Sequence, residues 1–285
     1  MKEKTVCVLL NYCDKNNCVN IINKGLADGF FDHYIIVDNN SPDNSFEELK
    51  KLCNDTITVI KAKENKGFAS GNNIGIAYAI KNLNPRYIVC LGTDVIVEKK
   101  ALEKCYSVLE KNDNLACVSP MMLDRDKNID SDFAWDFQTF SDCLKFNLYL
   151  TRKKNNYKKH KIIDYSKELV LCDVIRGSFM FFKADILERI GMFDEHTFLF
   201  YEENIICKKI SDISYNVGFI TTDTYIHNHI QHDTRSKQKY RESMKSAYYY
   251  LVKYQHIGFI KRVIFKLTSS LGKMEYFLFS KLKKK

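Results

Sequence analysis

HYIIVDNNSPDNSFEELKKLCNDTITVIKA, residues 33–62, has the pattern of one complete strand–helix–strand unit. Two short apolar runs rich in β-branched residues predict buried strands at 33–41 and 57–62, the first ending in a polar loop. Between them, a polar capping residue followed by acids in the first turn predicts a helix over 44–53. Such a unit is typical of an α/β sheet with parallel strands.

The same alternation continues on both sides of this unit. Upstream, the sequence predicts a strand at 5–10 and a helix at 16–29. Downstream, a glycine- and asparagine-rich loop at 65–80 leads into a helix, and a further strand follows at 86–91. This spacing predicts right-handed crossovers and a Rossmann-like, mainly parallel sheet flanked by helices.

The alternation weakens after about residue 120. Residues 124–170 are polar, aromatic and basic without a clear period, so we expect an insertion or a mobile loop there. The elements predicted beyond it are a strand at 172–183, a short helix at 184–191, a turn and helix at 191–210, two short strands in YNVGFI and DTYIHNHI, and a helix at 236–256.

The composition is that of a globular chain with an unevenly placed charge. Of the 285 residues, 45% are hydrophobic and 13% aromatic, which excludes disorder over most of the chain. The net charge is +9, but residues 261–285 hold eight basic residues and one acid, and 152–161 hold six basic residues. The remainder is slightly acidic, which argues against a nucleic-acid-binding protein.

The basic tail has an amphipathic pattern. Apolar residues recur at spacings of three and four and form one stripe on a helix, namely Ile260, Ile264, Leu267, Leu271, Met274, Leu278 and Leu282. Basic residues surround this stripe, so the segment 260–285 predicts a helix that docks on an anionic membrane surface. The alternative is a stripe packed on the rest of the protein with a solvated lysine tail.

The cysteines and the N-terminus indicate a cytoplasmic protein. None of the ten cysteines forms a CxxC pair, which gives no support to a zinc ribbon or a thioredoxin-type site. The N-terminal apolar run is too short for a signal peptide, and free thiols suit a reducing compartment. No stretch of about 18 apolar residues occurs, so we expect no membrane span.

Polar clusters follow three of the predicted strands, where ligands of parallel sheets bind. They are Asn11, the segment from Asp38 to Ser41, and Thr93 with Asp94. Each cluster taken alone is explained equally by turn formation. A single carboxylate such as Asp94 can nevertheless hold a divalent cation against a diphosphate.

Two further clusters lie in the second half of the chain. Glu202 and Glu203 follow an aromatic run near a predicted helix start, so one interpretation is that they cap the helix. The other is that one of them is a general base, because apolar surroundings raise the basicity of a carboxylate. His227 and His229 share one face of a predicted strand and are candidate metal ligands, although three nearby histidines without cysteine partners are a weak signal.

These clusters, in this order, resemble the family 2 glycosyltransferases, particularly the rhamnosyltransferase-like branch. The resemblance rests on the VDNxSxD motif at 37–43, NxGFAxGNNxG at 65–75 and LGTD at 91–94. It continues in RGSFMFFKADILERIGMFDEHTFLFYEEN at 176–204 and in the tyrosine-rich SAYYYLVKYQHIGFIKR at 246–262. It covers about 5–95 and 172–262.

The resemblance implies a GT-A fold in two parts. Residues 1–235 would form the catalytic domain, with a nucleotide-binding half at 1–120 and an acceptor and catalytic half at 121–235; residues 236–285 would add C-terminal helices and the basic tail. The implied reaction is inverting transfer of a hexosyl or rhamnosyl group from a UDP- or dTDP-sugar to a saccharide acceptor, possibly lipid-linked, in bacterial surface polysaccharide synthesis at the inner face of the plasma membrane.

The resemblance also assigns roles to residues. Glu203 would be the general base and Glu202 its partner, while Asp94 with His227 or His229 would hold Mg²⁺ or Mn²⁺. The residues that would bind the nucleotide sugar are Asn11, Asp38, Asn40, Asn65, Gly67, Gly71, Asn72, Asn73, Thr93 and Asp94.

Two departures from the family pattern leave an alternative open. LGTD lacks the first carboxylate of the metal motif, and Glu203 and Ile205 stand where the family has aspartates. The alternative is therefore a catalytically weak or inactive subunit that binds nucleotide sugar within a transferase pair. A sugar-phosphate nucleotidyltransferase is disfavoured because LLNYCDKNN stands where that family has a glycine-rich basic loop.

Overall fold

A computed structural model describes residues 4–148, 164–228 and 237–282. Its centre is one mixed sheet. The strands of this sheet are β1 (Thr5–Asn11), β2 (His33–Asp38), β3 (Ile57–Lys61), β4 (Tyr87–Leu91), β5 (Val95–Val97), β6 (Leu115–Leu123), β8 (Leu169–Cys172), β10 (Phe179–Lys183) and β11 (Asn216–His227). Their order across the sheet is β3-β2-β1-β4-β10-β6-β11-β5, with β8 paired to β11. A separate ribbon pairs β7 (Ala134–Trp135) with β9 (Val174–Ile175).

Helices flank this sheet along the chain. Those of the sheet region are α1 (Lys15–Asp28), α2 (Ser45–Lys50), α3 (Phe68–Leu83), α4 (Lys99–Lys111), α5 (Phe140–Asn147), α6 (Ala184–Arg189) and α7 (Glu202–Asp212). The last two are α8 (Lys237–Lys253) and α9 (Phe259–Leu282). The predicted α/β class with a helical C-terminal part is therefore confirmed.

The N-terminal half is the parallel sheet that the sequence predicts. β1 pairs in parallel with both β2 and β4, and β2 pairs in parallel with β3. β1 and β2 consist almost wholly of buried residues, because helices cover both faces of a parallel sheet. The register places Asn11 beside Asp38, so both polar side chains emerge at the same edge.

The second half of the sheet is mixed. β10 runs antiparallel between β4 and β6, while β6 and β11 are parallel to each other. All of the parallel strands, β11 included, therefore end at the edge that carries Asn11 and Asp38. β11 is one strand where the sequence predicted two short ones, and it is interrupted by a register shift between Ile220 and Thr224.

Two other predictions in this half were wrong. The strand expected at 172–183 breaks into β9 and β10, because residues 176–178 leave the ladder and turn toward α7. The described part of 124–170 is not an irregular loop: it contains β7, β8 and α5. Helix α5 begins at a reciprocal capping box between Thr139 and Asp142. The basic run 152–161 lies outside the described residues.

The C-terminal helices share a small core with the start of α7. This core contains Cys143 from α5, Tyr201 and Ile205 from α7, and Tyr250 and Phe265 from α8 and α9. Within the three described ranges, no helix combines the length and the hydrophobicity that a membrane span requires.

Candidate active site

The ends of β1 and β2 are joined by buried hydrogen bonds. The side-chain amide of Asn11 donates to Asp38 Oδ2 over 2.7 Å, and the Ser41 hydroxyl donates to the same oxygen over 2.7 Å. The Ser41 backbone amide donates to Asp38 Oδ1 over 3.0 Å. Asn11 and Asp38 are fully buried, so they order the loop at the strand ends without presenting a surface to a ligand.

The exposed groups at this edge are the neighbours of that buried pair. Asn40 is exposed and adopts a left-handed backbone with φ 57°. Tyr12, directly after β1, is 52% exposed. Sequence reasoning included Asn40 but missed Tyr12, although an aromatic residue directly after the first strand was a readable signal.

The 65–75 loop starts in contact with this edge. Asn39 donates from its amide to Asn65 Oδ1 over 3.1 Å and to the Gly67 carbonyl over 3.2 Å. Gly67 has φ 96°, and a Cβ there would collide with the carbonyl oxygen of Phe198. Only glycine therefore permits this crossing of the two backbones.

The later residues of this motif lie in helix α3, where the sequence predicted a loop, and they serve packing. A Cβ on Gly71 would collide with the Leu10 side chain, so this glycine brings α3 close to β1. Asn72 donates to the Phe68 carbonyl within its own helix. Asn73 donates to the Phe193 carbonyl over 2.9 Å and accepts from the Phe193 amide over 3.0 Å. The contact of Gly71 with a nucleotide sugar stays a prediction.

Asp94 and His227 meet at the end of β4. His227 Nε2 lies 3.3 Å from Asp94 Oδ2, and both side chains are about one-fifth exposed. The pair is brought together because β5, directly after Asp94, runs antiparallel to the end of β11. The Thr93 hydroxyl donates to Asp14 Oδ2 over 2.5 Å, which adds a carboxylate that sequence reasoning missed.

This pair fits a divalent cation only in part. Carboxylate and imidazole groups are both ligands of Mn²⁺-type ions, and such ions at diphosphate sites complete their shell with phosphate and water oxygens. Among the described residues, no group of three or more His, Cys, Asp or Glu side chains is placed to hold a metal. His229 lies outside the described residues.

The acidic pair begins α7 after a strained turn. Phe200 and Tyr201 both have left-handed backbones, with φ of 72° and 68°, which is rare for aromatic residues and is typical of functional sites. Glu202 is buried, and its Oε2 has no hydrogen-bond partner among the described residues. Burial first, and then the negative charge of Glu203, raise the pKa of Glu202 well above its ordinary value. The surroundings of Glu202 therefore favour its neutral form more than those of an exposed glutamate do.

Glu203 is half-buried and connected to the polar edge. The Gly177 backbone amide donates to Glu203 Oε1 over 3.3 Å. The next residue, Ser178, accepts from the Gly92 amide over 2.8 Å through its carbonyl. Gly92 lies two residues before Asp94, so hydrogen bonds through the break between β9 and β10 link Glu203 to the segment that carries Asp94.

The chain's only tryptophan lies beside the acidic pair. Trp135 donates from its indole nitrogen to Asn204 Oδ1 over 3.2 Å, and it pairs with Val174 across the β7–β9 ribbon. The ring is half-buried. Sequence reasoning missed this residue because it lies in the segment without a clear period.

An open α/β sheet with this polar edge, connected through a neighbouring strand to an acidic pair on a helix, defines the class of GT-A glycosyltransferases. The chain belongs to glycosyl transferase family 2, whose family model matches residues 16–190. The resemblance to this family and to its rhamnosyltransferase-like members is confirmed.

Individual relatives agree with this membership. The low-salt glycan biosynthesis hexosyltransferase Agl10 of Haloferax volcanii is 25% identical over 237 residues, which are 82% of this chain and 70% of the relative. The rhamnosyltransferase WbbL of Escherichia coli K12 is 26% identical over 192 residues, which are 66% of this chain and 70% of the relative.

Solved structures share the fold. The mannosyltransferase PcManGT of Pyrobaculum calidifontis, in complex with GDP-Man and Mn²⁺, superposes with a TM-score of 0.61 at 13% identity, covering 95% of this chain and 70% of that one. GalNAc-T7 with UDP, GalNAc and Mn²⁺ gives a TM-score of 0.58 at 13% identity, and the match covers 93% of this chain and 54% of that protein.

Proposed function

We propose that this glycosyltransferase transfers a hexosyl or rhamnosyl group from a nucleotide-diphosphate sugar to a saccharide acceptor in one displacement, with inversion at the anomeric carbon. The observation that carries the proposal is the short connection from Glu203 through Gly177, Ser178 and Gly92 to Asp94. It supports one site with a base on one side and a diphosphate-binding group on the other.

The donor nucleotide would lie over the ends of β1 and β2. Asn11 and Asp38 hold the loop, while the exposed Asn40 and the ring of Tyr12 are available to contact a base or ribose. Asn65 and Gly67 support this loop from below. Asn72, Asn73 and Gly71 act indirectly, because they fix α3 against the sheet and against residue 193. The donor base, uracil or thymine, stays a prediction.

Asp94 and His227 are the residues that would hold Mg²⁺ or Mn²⁺, with His229 as a further candidate. Such an ion, when bound, neutralises the charge that develops on the leaving diphosphate. The 3.3 Å approach of the two side chains supports this assignment. Mn²⁺ is also present in the solved structures of PcManGT and GalNAc-T7.

Glu203 would remove the proton from the acceptor hydroxyl. The Glu203 carboxylate accepts a hydrogen bond from a backbone amide, which orients it. The side chain remains partly exposed. Glu202 is less suited to this role, because it is buried and its raised pKa favours the neutral form, which cannot accept a proton. The single displacement requires only that the acceptor oxygen attack the anomeric carbon as the nucleoside diphosphate departs, and no covalent sugar–enzyme intermediate forms.

The acceptor would be a growing glycan. The two relatives are named for glycan biosynthesis and for rhamnosyl transfer, which supports a glycan acceptor. A role in synthesis of a bacterial surface polysaccharide is the finer part of this proposal. We further propose a lipid-linked acceptor at the cytoplasmic face of the membrane. The division at residue 235 into a catalytic domain and C-terminal helices belongs to the same proposal.

Thermal-shift measurements on the full chain test this function. UDP- and dTDP-sugars are added with and without Mn²⁺, and the right donor at about 100 times its Kd should stabilise the fold by about 2.7 kcal/mol. Asp94→Asn should remove the Mn²⁺-dependent part of that stabilisation, whereas Asp223→Asn, at a largely buried carboxylate paired with Lys100, should not. Stabilisation by no donor contradicts the proposal.

A turnover measurement distinguishes the enzyme from the alternative, a non-catalytic subunit. A donor that stabilises the chain but from which no nucleoside diphosphate is released, with any saccharide acceptor tested, supports the nucleotide-sugar-binding subunit. Release of nucleoside diphosphate supports the enzyme.

A further inference from the structure

Helix α9 is held to the protein by one narrow face. Phe265 is only 2% exposed and packs in the shared core of α5, α7 and α8. One turn further, Ser269 is buried, and Asn147 in α5 donates to the Thr268 hydroxyl over 3.1 Å. A Cβ on Gly272 would collide with the Asn147 carbonyl oxygen. This face therefore consists of small residues around a single aromatic anchor.

The opposite face of α9 is apolar and uncovered. Because each residue of an α-helix advances by about 100°, Leu267 lies about 200° from Phe265. Leu267 and Met274 are each 62% exposed. The exposed apolar residues of this face are Ile260, Val263, Ile264, Leu267, Leu271, Met274 and Leu278. The apolar stripe is thus not packed on the catalytic part of the chain, and the alternative considered from the sequence is wrong for the described residues.

The charges beside this stripe have one sign. Residues 261–285 contain eight basic residues against the single acid Glu275. Lys266 and Lys261 lie on the flanks of the helix, with their ammonium groups over the rings of Tyr248 and Phe140. An apolar face bordered by cations fits an anionic lipid surface, whereas pairing with a second copy would bring two sets of lysines together.

We propose that α9 docks the enzyme on an anionic lipid bilayer, with its axis in the membrane plane and its exposed face among the acyl chains. A helix of 24 residues in this orientation presents about 36 Å of contact. Apolar insertion and the attraction of each cation to anionic headgroups act together in this mode of binding.

The docking helix packs in the same core as the residue that precedes the acidic pair. Phe265 of α9 and Tyr201 at the start of α7 belong to the same core, and Ser246 of α8 donates to the Leu199 carbonyl over 2.9 Å. A bound α9 therefore fixes the height of Glu203 above the bilayer. This orientation rests on the proposed function, since it matters only if the acceptor is carried by a lipid.

Co-sedimentation of the full chain with vesicles tests the docking. The vesicles are phosphatidylcholine alone or with 30% phosphatidylglycerol. The wild type should partition at least tenfold more strongly onto the anionic vesicles, and Leu267→Ser with Leu271→Ser should reduce that partition at least tenfold. Lys266→Gln should reduce it about fivefold.

The matched control replaces two apolar side chains of similar exposure elsewhere. Leu26 and Ile129 are 45% and 47% exposed, so Leu26→Ser with Ile129→Ser should leave partition within twofold of wild type. All variants should keep the wild-type melting temperature, because the altered side chains are exposed.

The docking would be overturned if the wild type did not bind anionic vesicles, or if the Leu267–Leu271 variant bound them as strongly as the wild type. It would also be overturned if the wild type were a dimer that this variant converts to a monomer, because the face would then be an interface between copies. Vesicle binding without release of nucleoside diphosphate from any donor sugar supports the docking and contradicts the proposed function, so the two claims fail separately.

Discussion

At the scale of single residues, two adjacent acids have opposite surroundings. Glu202 is buried, and one of its carboxylate oxygens has no hydrogen-bond partner in the part of the chain that the structure describes. Glu203 receives an amide hydrogen bond at the edge of the sheet. Burial disfavours the charged form of a carboxylate, while a nearby open site permits it.

The first prediction concerns Glu202 and pH. Its folded-state pKa is raised above the ordinary value of 4.5, so the folded protein binds a proton that the unfolded chain releases above that pH. The stability of the wild type should therefore fall as the pH rises above about 4.5, by up to about 1.4 kcal/mol per pH unit from this group. Glu202→Gln should lack this contribution when the free energy of unfolding is measured by urea denaturation from pH 4.5 to 8.

An exposed acid provides the control for this measurement. Glu98 is 75% exposed, and Glu98→Gln should follow the wild-type pH dependence. Parallel stability curves for the wild type and Glu202→Gln would show that Glu202 is not held neutral by the fold.

The sequence indicates which residues lie at the site better than it indicates what each one does. Asn11, Asp38, Thr93 and Asp94 follow strands, and the ends of parallel strands meet at one edge. Whether a side chain there is open to a ligand depends on its neighbours from distant segments. Asp38 is closed off by Asn11 and Ser41, and only the folded structure shows this.

At the scale of elements, α3 is held against the sheet by its glycines. A Cβ on Gly75 would lie 2.6 Å from Val8 Cγ1 and 3.1 Å from Val37 Cγ2, both on buried strands. β-Branched side chains have restricted χ1 angles and cannot easily move aside. The glycines of the NxGFAxGNNxG motif thus set the distance between helix and strands.

Replacing Gly75 tests this packing. Alanine should gain about 0.5–1 kcal/mol as a helix former, but overpacking against Val8 should cost about 1–3 kcal/mol. Gly75→Ala should therefore lower the melting temperature. Gly258→Ala, at a position with no neighbour within 4 Å, should leave it unchanged, and equal melting temperatures for the two variants would disprove the close packing.

Helix α8 is fastened to the 193–198 segment through Asp194. Tyr249 and Tyr254 donate their hydroxyls to Asp194 Oδ2 over 2.8 and 2.5 Å, and the His196 amide donates to Oδ1 over 2.9 Å. Burial alone would raise the pKa of Asp194, but these hydrogen bonds outweigh it and lower the pKa to about 2. The carboxylate is thus stabilised in its charged form.

The expected consequence is a stability gain that acid removes. A folded-state pKa below the ordinary 3.8 stabilises the fold above pH 3.8, and the gain is lost as the pH falls toward 2. Asp194→Asn should therefore cost about 2 kcal/mol at pH 7, and its difference from wild type should narrow between pH 4 and pH 2.

Removal of a surface acid serves as the comparison. Asp212 is 51% exposed and pairs with Lys208, so Asp212→Asn should change stability by less than about 1 kcal/mol at every pH. A pH-independent loss in Asp194→Asn would assign the effect to packing rather than to the charge.

Local pattern identified some elements and not others for physical reasons. Strands β1 to β4 are short, continuous apolar runs and were predictable. Helix α4 was not predicted, although its buried residues recur at helical spacing and the signal was therefore present in the sequence. The interruption at 176–178 and the register shift in β11 have no local signature, because neighbouring strands and α7 impose them.

At the scale of the whole molecule, the chain joins two halves through contacts that cross the sequence. Asn73 in α3 binds residue 193, and Gly67 crosses Phe198. The C-terminal helices then enclose the start of α7. The sequence predicted the parallel half from the alternation of strands and helices, and the helical end from its residue pattern. The packing of one half on the other depends on side-chain pairs far apart in the chain.

The proposed function depends on Glu203, and not Glu202, as the base of the glycosyl transfer reaction. The most direct measurement is the rate of nucleoside diphosphate release, with the stabilising donor and a saccharide acceptor, by the wild type, Glu203→Gln and Glu202→Gln. Glu203→Gln should lower kcat by about two to four orders of magnitude with donor affinity unchanged. Glu202→Gln should stay within about tenfold of wild type, because glutamine is close in shape to a neutral glutamic acid. A larger loss of kcat in Glu202→Gln than in Glu203→Gln, or wild-type turnover in Glu203→Gln, would contradict the assignment of Glu203 as the base.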